Sequence, residues 1–152
     1  MNIESAYNFR RVDSQLTTSG VVVPDALRSL ASQGYKVVVN LLPETNEHAI
    51  PGERAIVESQ NMEYIYIPVE FGRPTRENFQ VFCAALDRIS DRKTHLHCAA
   101  NFRVSAFYSL YEVGRHRWTA EQAMAFILGV WDPNQYPAWP EFIDEILGSE
   151  EN

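Results

Sequence analysis

One short segment concentrates the side chains able to do covalent chemistry: His97-Cys98-Ala99-Ala100-Asn101-Phe102-Arg103-Val104-Ser105. The Cys98 thiol is a nucleophile only as the thiolate. Thiolates form below the ordinary cysteine pKa of about 8.5 where a helix N-terminus or a fixed cation lies alongside. Arg103 supplies such a cation, with a planar fork that matches phosphate oxygens. The segment falls where a short strand candidate, residues 94–97, gives way to helical spacing through Phe107, Leu110 and Tyr111 over residues 105–113. Successive backbone N–H groups in a tight turn opening onto a helix form a cradle for a tetrahedral oxyanion. Ala99, Ala100, Asn101, Phe102, Arg103 and Val104 are therefore the expected anion-binding positions. Asn101 is the residue type best able, short of glycine, to take a left-handed backbone there. The bland alternative for Cys98 is an inert apolar cysteine closing a core strand.

The elements that must position this segment alternate between strand and helix signals. Pro24 opens a helix over residues 24–33 that stops at Gly34, and the β-branched run 37–42 reads as a strand covered on both faces. A short helix over 52–59, a strand over 64–67 and a helix over 75–89 follow, the last carrying Phe79, Phe82, Cys83, Leu86 and Ile89 on one face. Cys83 belongs to that packing face. Helices are also predicted over 119–130, where Thr119 and Gln122 have capping-box spacing, and over 140–147. The pattern predicts an α/β fold in a single domain spanning 1–152, with a central, mostly parallel sheet flanked by helices and an acidic, frayed end at 149–152. Functional groups then lie in loops at the carboxyl ends of strands.

With those residues in place, the chain resembles the cysteine-dependent tyrosine and dual-specificity phosphatases, specifically a bacterial phosphatase-like branch with a short Cys-x4-Arg loop. The resemblance covers a catalytic region of about 19–130. It implies that Cys98 attacks phosphorus to form a cysteinyl-phosphate, that Arg103 binds phosphate oxygens, and that a carboxylic acid on another loop protonates the leaving oxygen. Glu70 is the carboxylate of the loop Glu70-Phe71-Gly72-Arg73-Pro74, where the family carries an aspartic acid; the family's acid aligns on Glu70 or one position later, on Phe71. Asp132 in Trp131-Asp132-Pro133-Asn134 is a lesser acid candidate, since it follows the cysteine helix, out of the dual-specificity order, and Asp-Pro commonly opens a turn. His97 and Ser105 are supporting residues, Arg73 and Arg76 surface cations beside the acid loop, and Glu77 a complement to a helix dipole.

Two departures bear on the reaction. Four residues separate Cys98 from Arg103, one fewer than is usual in that family, and Val104 stands where a hydroxyl residue normally follows the arginine. The shorter loop is similar to that of rhodanese-type sulfurtransferases, which implies an alternative: sulfur transfer through a Cys98 persulfide. A third alternative is a phosphate-binding pseudophosphatase without turnover.

The remaining sequence excludes more than it suggests. The 152 residues carry 13 Lys plus Arg against 20 Asp plus Glu, a net charge of −7, which argues against a nucleic-acid binder or a coat for anionic membranes. No apolar run is long enough to span a bilayer and no secretory signal is visible, so a cytoplasmic location is expected. His95 and His97 share a strand face, but with no cysteine or carboxylate cluster near them no metal site is expected, and no cofactor is implied. The expected partner is a phosphorylated small molecule or protein, such as a phosphotyrosine or phosphoserine protein.

Overall fold

A computed structural model describes residues 2–150, apart from the side chain of Glu150. Five strands form one sheet in the order β1-β2-β5-β3-β4: β1 Arg10–Asp13, β2 Leu16–Ser19, β3 Val37–Asn40, β4 Glu63–Tyr66 and β5 Thr94–His97. β1 runs antiparallel to β2, and every other neighbouring pair is parallel. All four residues of β3 and of β5 are buried, as strands with both faces covered must be. Val37 and Val39 face one apolar cluster with Leu96, Phe82 and Phe107; Val38 faces the other with Leu27, Leu30 and Tyr35.

The helices are α1 Pro24–Leu27, α2 Glu53–Glu58, α3 Arg76–Arg88, α4 Phe102–Gly114, α5 Ala120–Leu128 and α6 Ala138–Glu150. Capping boxes at Thr75 with Asn78 and at Thr119 with Gln122 fix the starts of α3 and α5. Each residue from Arg103 to Glu112 of α4 is buried, so this helix is enclosed rather than amphipathic.

Several expected boundaries shift. The helix expected over 24–33 is one turn of α1 followed by a 3-10 turn, Ala31–Gln33, ending at Gly34 with φ 92°. The β1–β2 hairpin carried no apolar alternation because its buried positions are Thr17, Thr18 and Ser19. α4 begins at Phe102, three residues before the expected start, so Arg103 and Val104 are helical. α6 extends past its expected end, taking in Ser149 and Glu150 of the expected frayed segment, while residues 151 and 152 lie outside the described residues.

The register aligns the carboxyl ends of the four parallel strands: Ser19 lies beside His97, His97 beside Asn40, and Asn40 beside Tyr66. The residue after His97 is Cys98. The candidate nucleophile thus leaves the sheet at its centre, on the edge where an α/β fold exposes loops.

Candidate active site

The turn from Cys98 into α4 separates its carbonyls from its amides. The Cys98 carbonyl accepts from His97 Nδ1 (3.3 Å), Ala99 from the Val21 amide (2.9 Å), Ala100 from Asn8 Nδ2 (2.9 Å), Asn101 from the Ser105 amide (2.9 Å) and Phe102 from Ser105 Oγ (3.0 Å). Among the described residues, the amides of Ala99, Ala100, Phe102, Arg103 and Val104 have no backbone acceptor, whereas the Asn101 amide faces the Ser19 carbonyl across the antiparallel bridge that pairs Gly20 with Ala100. Asn101, at φ 71° and ψ 5°, takes the left-handed conformation its type allows. Its Nδ2 donates to the Asn8 carbonyl and to Thr18 Oγ1, both at 2.9 Å, and its Oδ1 is buried without a partner. Gly20 lies against the loop: a Cβ there would sit 2.4 Å from the Ala99 carbonyl oxygen.

Cys98 is fully buried and Arg103 is 6% exposed. Arg103 Nε donates to the Val69 carbonyl at 2.8 Å, and its guanidinium lies over the Phe71 ring, 5.1 Å from the centroid. No carboxylate pairs with it among the described residues. A buried cation without a counterion costs several kcal/mol. The five unclaimed amides supply the remaining donors. Together these groups can hold a tetrahedral anion.

The acid candidates lie apart from this enclosure. Glu70 is exposed, and its carboxylate has no hydrogen-bond or ion partner among the described residues; Phe71, one position on, is the residue that packs against Arg103. Trp139 Nε1 donates to the Phe71 carbonyl at 2.8 Å, and the Phe71 ring also meets Phe102, Trp131 and Tyr136. Asp132 is exposed and accepts from the Asn134 amide at 3.0 Å, capping the turn Pro133–Gln135. Ser105 accepts from Trp131 Nε1 at 3.0 Å while donating to the Phe102 carbonyl, so its hydroxyl is committed to the loop's outer side. Arg76 is bound to Glu145 and Ser149 on α6.

His97 is 1% exposed, with Nε2 2.5 Å from Oε2 of buried Glu53. The Cys98 carbonyl can only accept, so its bond to the ring uses the tautomer with Nδ1–H, and Nε2 faces the Glu53 carboxylate. Glu53 also lines a cleft of about 390 Å³ with Asn40, Glu44 and Tyr64, beside the ends of β3 and β4. His95 differs: Thr17 Oγ1 (2.7 Å) and Ser19 Oγ (2.8 Å) occupy both ring nitrogens, and complete burial holds its pKa well below 6.5. Neither histidine has a nitrogen free for a metal, and no cluster of three or more ligand-type side chains occurs among the described residues. Sequence reasoning missed Asn8, Gly20, Glu53 and the Val69 carbonyl. Each acts from a distant segment and left no local trace.

A mostly parallel sheet delivering a buried cysteine turn onto an enclosed helix that carries a buried arginine is the architecture of the tyrosine and dual-specificity phosphatase class of α/β proteins, here with one residue fewer than usual between Cys98 and Arg103. The sequence profile of the family described as DSP-PTPase phosphatase fused to NAD+ kinase matches residues 5–131, and the chain belongs to that family. A phosphatase-like DUF442 protein from Shewanella putrefaciens CN-32 is 30% identical, superposes with a TM-score of 0.89, and is matched over 98% of this chain and 97% of that one. TpbA of P. aeruginosa shares the fold, with a TM-score of 0.72 at 16% identity over 96% of this chain and 92% of that one. A "Beta-lactamase hydrolase-like protein" of Xylella fastidiosa (strain 9a5c) is 27% identical over 135 residues, covering 86% of this chain and 31% of the relative. The chain thus spans about a third of that curated relative's length. No helix among the described residues is long and apolar enough to cross a membrane.

Proposed function

We propose that the protein hydrolyses a phosphomonoester, of a small molecule or a protein, through a cysteinyl-phosphate on Cys98. The observation that carries this reading is the Arg103 guanidinium, buried and without a carboxylate, in a turn that begins at a buried thiol and carries five unclaimed amides. The Cys98 thiolate attacks phosphorus, forming the S–P bond as the P–O bond to the leaving group breaks. The leaving oxygen takes its proton from Glu70 or from water. Water then attacks phosphorus, and inorganic phosphate and the thiolate are released. Arg103 and the unclaimed amides of the turn bind the three equatorial oxygens as charge shifts onto them. With Phe71 in place of an acid against Arg103, the reaction suits substrates whose leaving oxygen needs little help, such as aryl phosphates.

A second reading, sulfur transfer, is favoured by the same ring and by the short loop. In that reaction the Cys98 thiolate takes the outer sulfur of thiosulfate, releasing sulfite, and the persulfide passes that sulfur to a thiophile such as cyanide. No alkoxide leaves, so no proton donor is required. Turnover of p-nitrophenyl phosphate, lost in Cys98→Ser, is the expected result. Thiocyanate formation from thiosulfate and cyanide without phosphate release would overturn the first reading in favour of the second. Binding of phosphate with neither turnover would overturn both and leave the protein a phosphate-binding module.

A further inference from the structure

The free amides of the cradle exist because each loop carbonyl is held elsewhere, and four of those five donors come from adjoining structure. His97 precedes the loop, Ser105 supplies its amide and hydroxyl from α4, and Val21 follows the strand beside it. The exception is the Ala100 carbonyl, held by Asn8 Nδ2 at 2.9 Å across a sequence separation of 92 residues. Asn8 receives a bond in return, since its own carbonyl accepts from Asn101 Nδ2 at 2.9 Å. Both asparagines are left-handed, at φ 53° and φ 71°, so two amide side chains and two backbone carbonyls close a reciprocal clasp. The Gly20 amide, donating to the Tyr7 carbonyl at 2.7 Å, anchors the segment that carries Asn8.

We propose that Asn8 is a positioning residue for the oxyanion cradle, acting through the Ala100–Asn101 peptide. That peptide is planar and trans, so its carbonyl and N–H point to opposite sides. Holding the Ala100 carbonyl to Asn8, with the Asn101 N–H facing the Ser19 carbonyl on the other side, keeps that carbonyl from turning into the cradle. Without the Nδ2 donor the peptide is free to rotate, and its carbonyl would then oppose an anion and the Cys98 thiolate alike. The clasp also ties the one buried left-handed residue of the loop to the N-terminal segment and, through Thr18 Oγ1, to β2. The inference rests on the proposed reading of residues 98–104 as an oxyanion site.

Two variants separate the donor from the backbone shape. Asn8→Gly keeps the left-handed conformation and deletes the donor; Asn8→Asp keeps the shape and replaces the donor with an acceptor. Two readouts apply to each: inorganic phosphate and vanadate binding by calorimetry, and the Cys98 thiolate followed by its ultraviolet absorbance against pH, with Cys98→Ser as background. Asn8→Gly is expected to weaken phosphate binding about tenfold and raise the thiol titration by about one pH unit. Asn8→Asp is expected to exceed Asn8→Gly in both. A lowered melting temperature in either variant, with phosphate affinity and thiolate titration both at wild-type values, would overturn the positioning role. If the wild type binds neither phosphate nor vanadate, the oxyanion reading fails instead. The thiolate titration then decides Asn8 alone: a raised midpoint in Asn8→Gly supports the role and an unmoved one overturns it.

Discussion

Two loops meet at the carboxyl edge of the sheet, and the fold treats them differently. In loop 98–103, hydrogen bonds from Asn8, Val21, His97 and Ser105 hold the carbonyls of residues 98–102, and the arginine is enclosed. In loop 70–74, Phe71 is held by Trp139 and by a ring cluster, while Glu70 is exposed and unpaired. The carbonyls around the anion position are all held, whereas the carboxylate that would donate a proton has no partner among the described residues. Electrostatic preorganisation is commonly the largest single contribution to catalysis, whereas a general acid contributes less and only where the leaving group needs it. The contrast predicts that turnover depends steeply on the first loop and weakly on the second. Arg103→Ala should show the steep side, lowering kcat/KM for an aryl phosphate by about 10²- to 10³-fold. A loss under about tenfold would mean the amides alone hold the substrate and would erase the contrast.

Smaller effects are expected behind the first loop, in the wall formed by β2. Gly20→Ala would drive a Cβ to within 2.4 Å of the Ala99 carbonyl oxygen, so backbone must move. A loss of about 1–3 kcal/mol in denaturant unfolding is expected, with weaker phosphate binding. Unchanged stability and binding would show that the two segments can part without consequence.

The same wall contains His95, whose neutral ring bonds Thr17 and Ser19 and whose burial holds its pKa well below 6.5. Its unfolded form takes up a proton as pH falls through about 6.5, while the folded form resists. The unfolded state then binds more protons, and stability drops with falling pH by up to about 1.4 kcal/mol per unit for this one group. In His95→Gln this component should disappear from urea unfolding measured between neutral and mildly acidic pH. An identical pH slope in the variant would move the acid sensitivity to another group.

The parts legible in the sequence were those whose cause is local. The Cys98 turn, the left-handed aptitude of Asn101, the β-branched run of β3, the apolar face of α3 and the capping box at Thr119 are each readable within a few residues. What supports the turn was not legible, because it comes from afar and through the backbone. The Val69 carbonyl binds Arg103 regardless of the side chain it carries, and Asn8 resembles any polar loop residue until the fold brings it to Ala100. Glu53 looked like a first-turn acid of a short helix, yet it is buried against His97. The hairpin of β1 and β2 was hidden because its buried residues are hydroxylated, serving His95 and Asn101 rather than an apolar core.

The smallest expected effect tests the weak side of the contrast. Glu70 follows Val69, whose carbonyl binds Arg103, and precedes Phe71, whose ring lies beneath that guanidinium. Both neighbours are fixed to the arginine, so a large swing of Glu70 toward the cradle would break one of these contacts. Glu70→Gln should therefore lower kcat by no more than about threefold, under about 0.7 kcal/mol, with the greatest loss on alkyl phosphates, whose leaving oxygen needs a proton most. A loss of a hundredfold or more confined to poor leaving groups would mean that substrate draws the acid loop inward and exchanges the Arg103–Val69 bond for one to the ligand. The two loops would then be successive states of one closing site, and Phe71 the residue that moves aside.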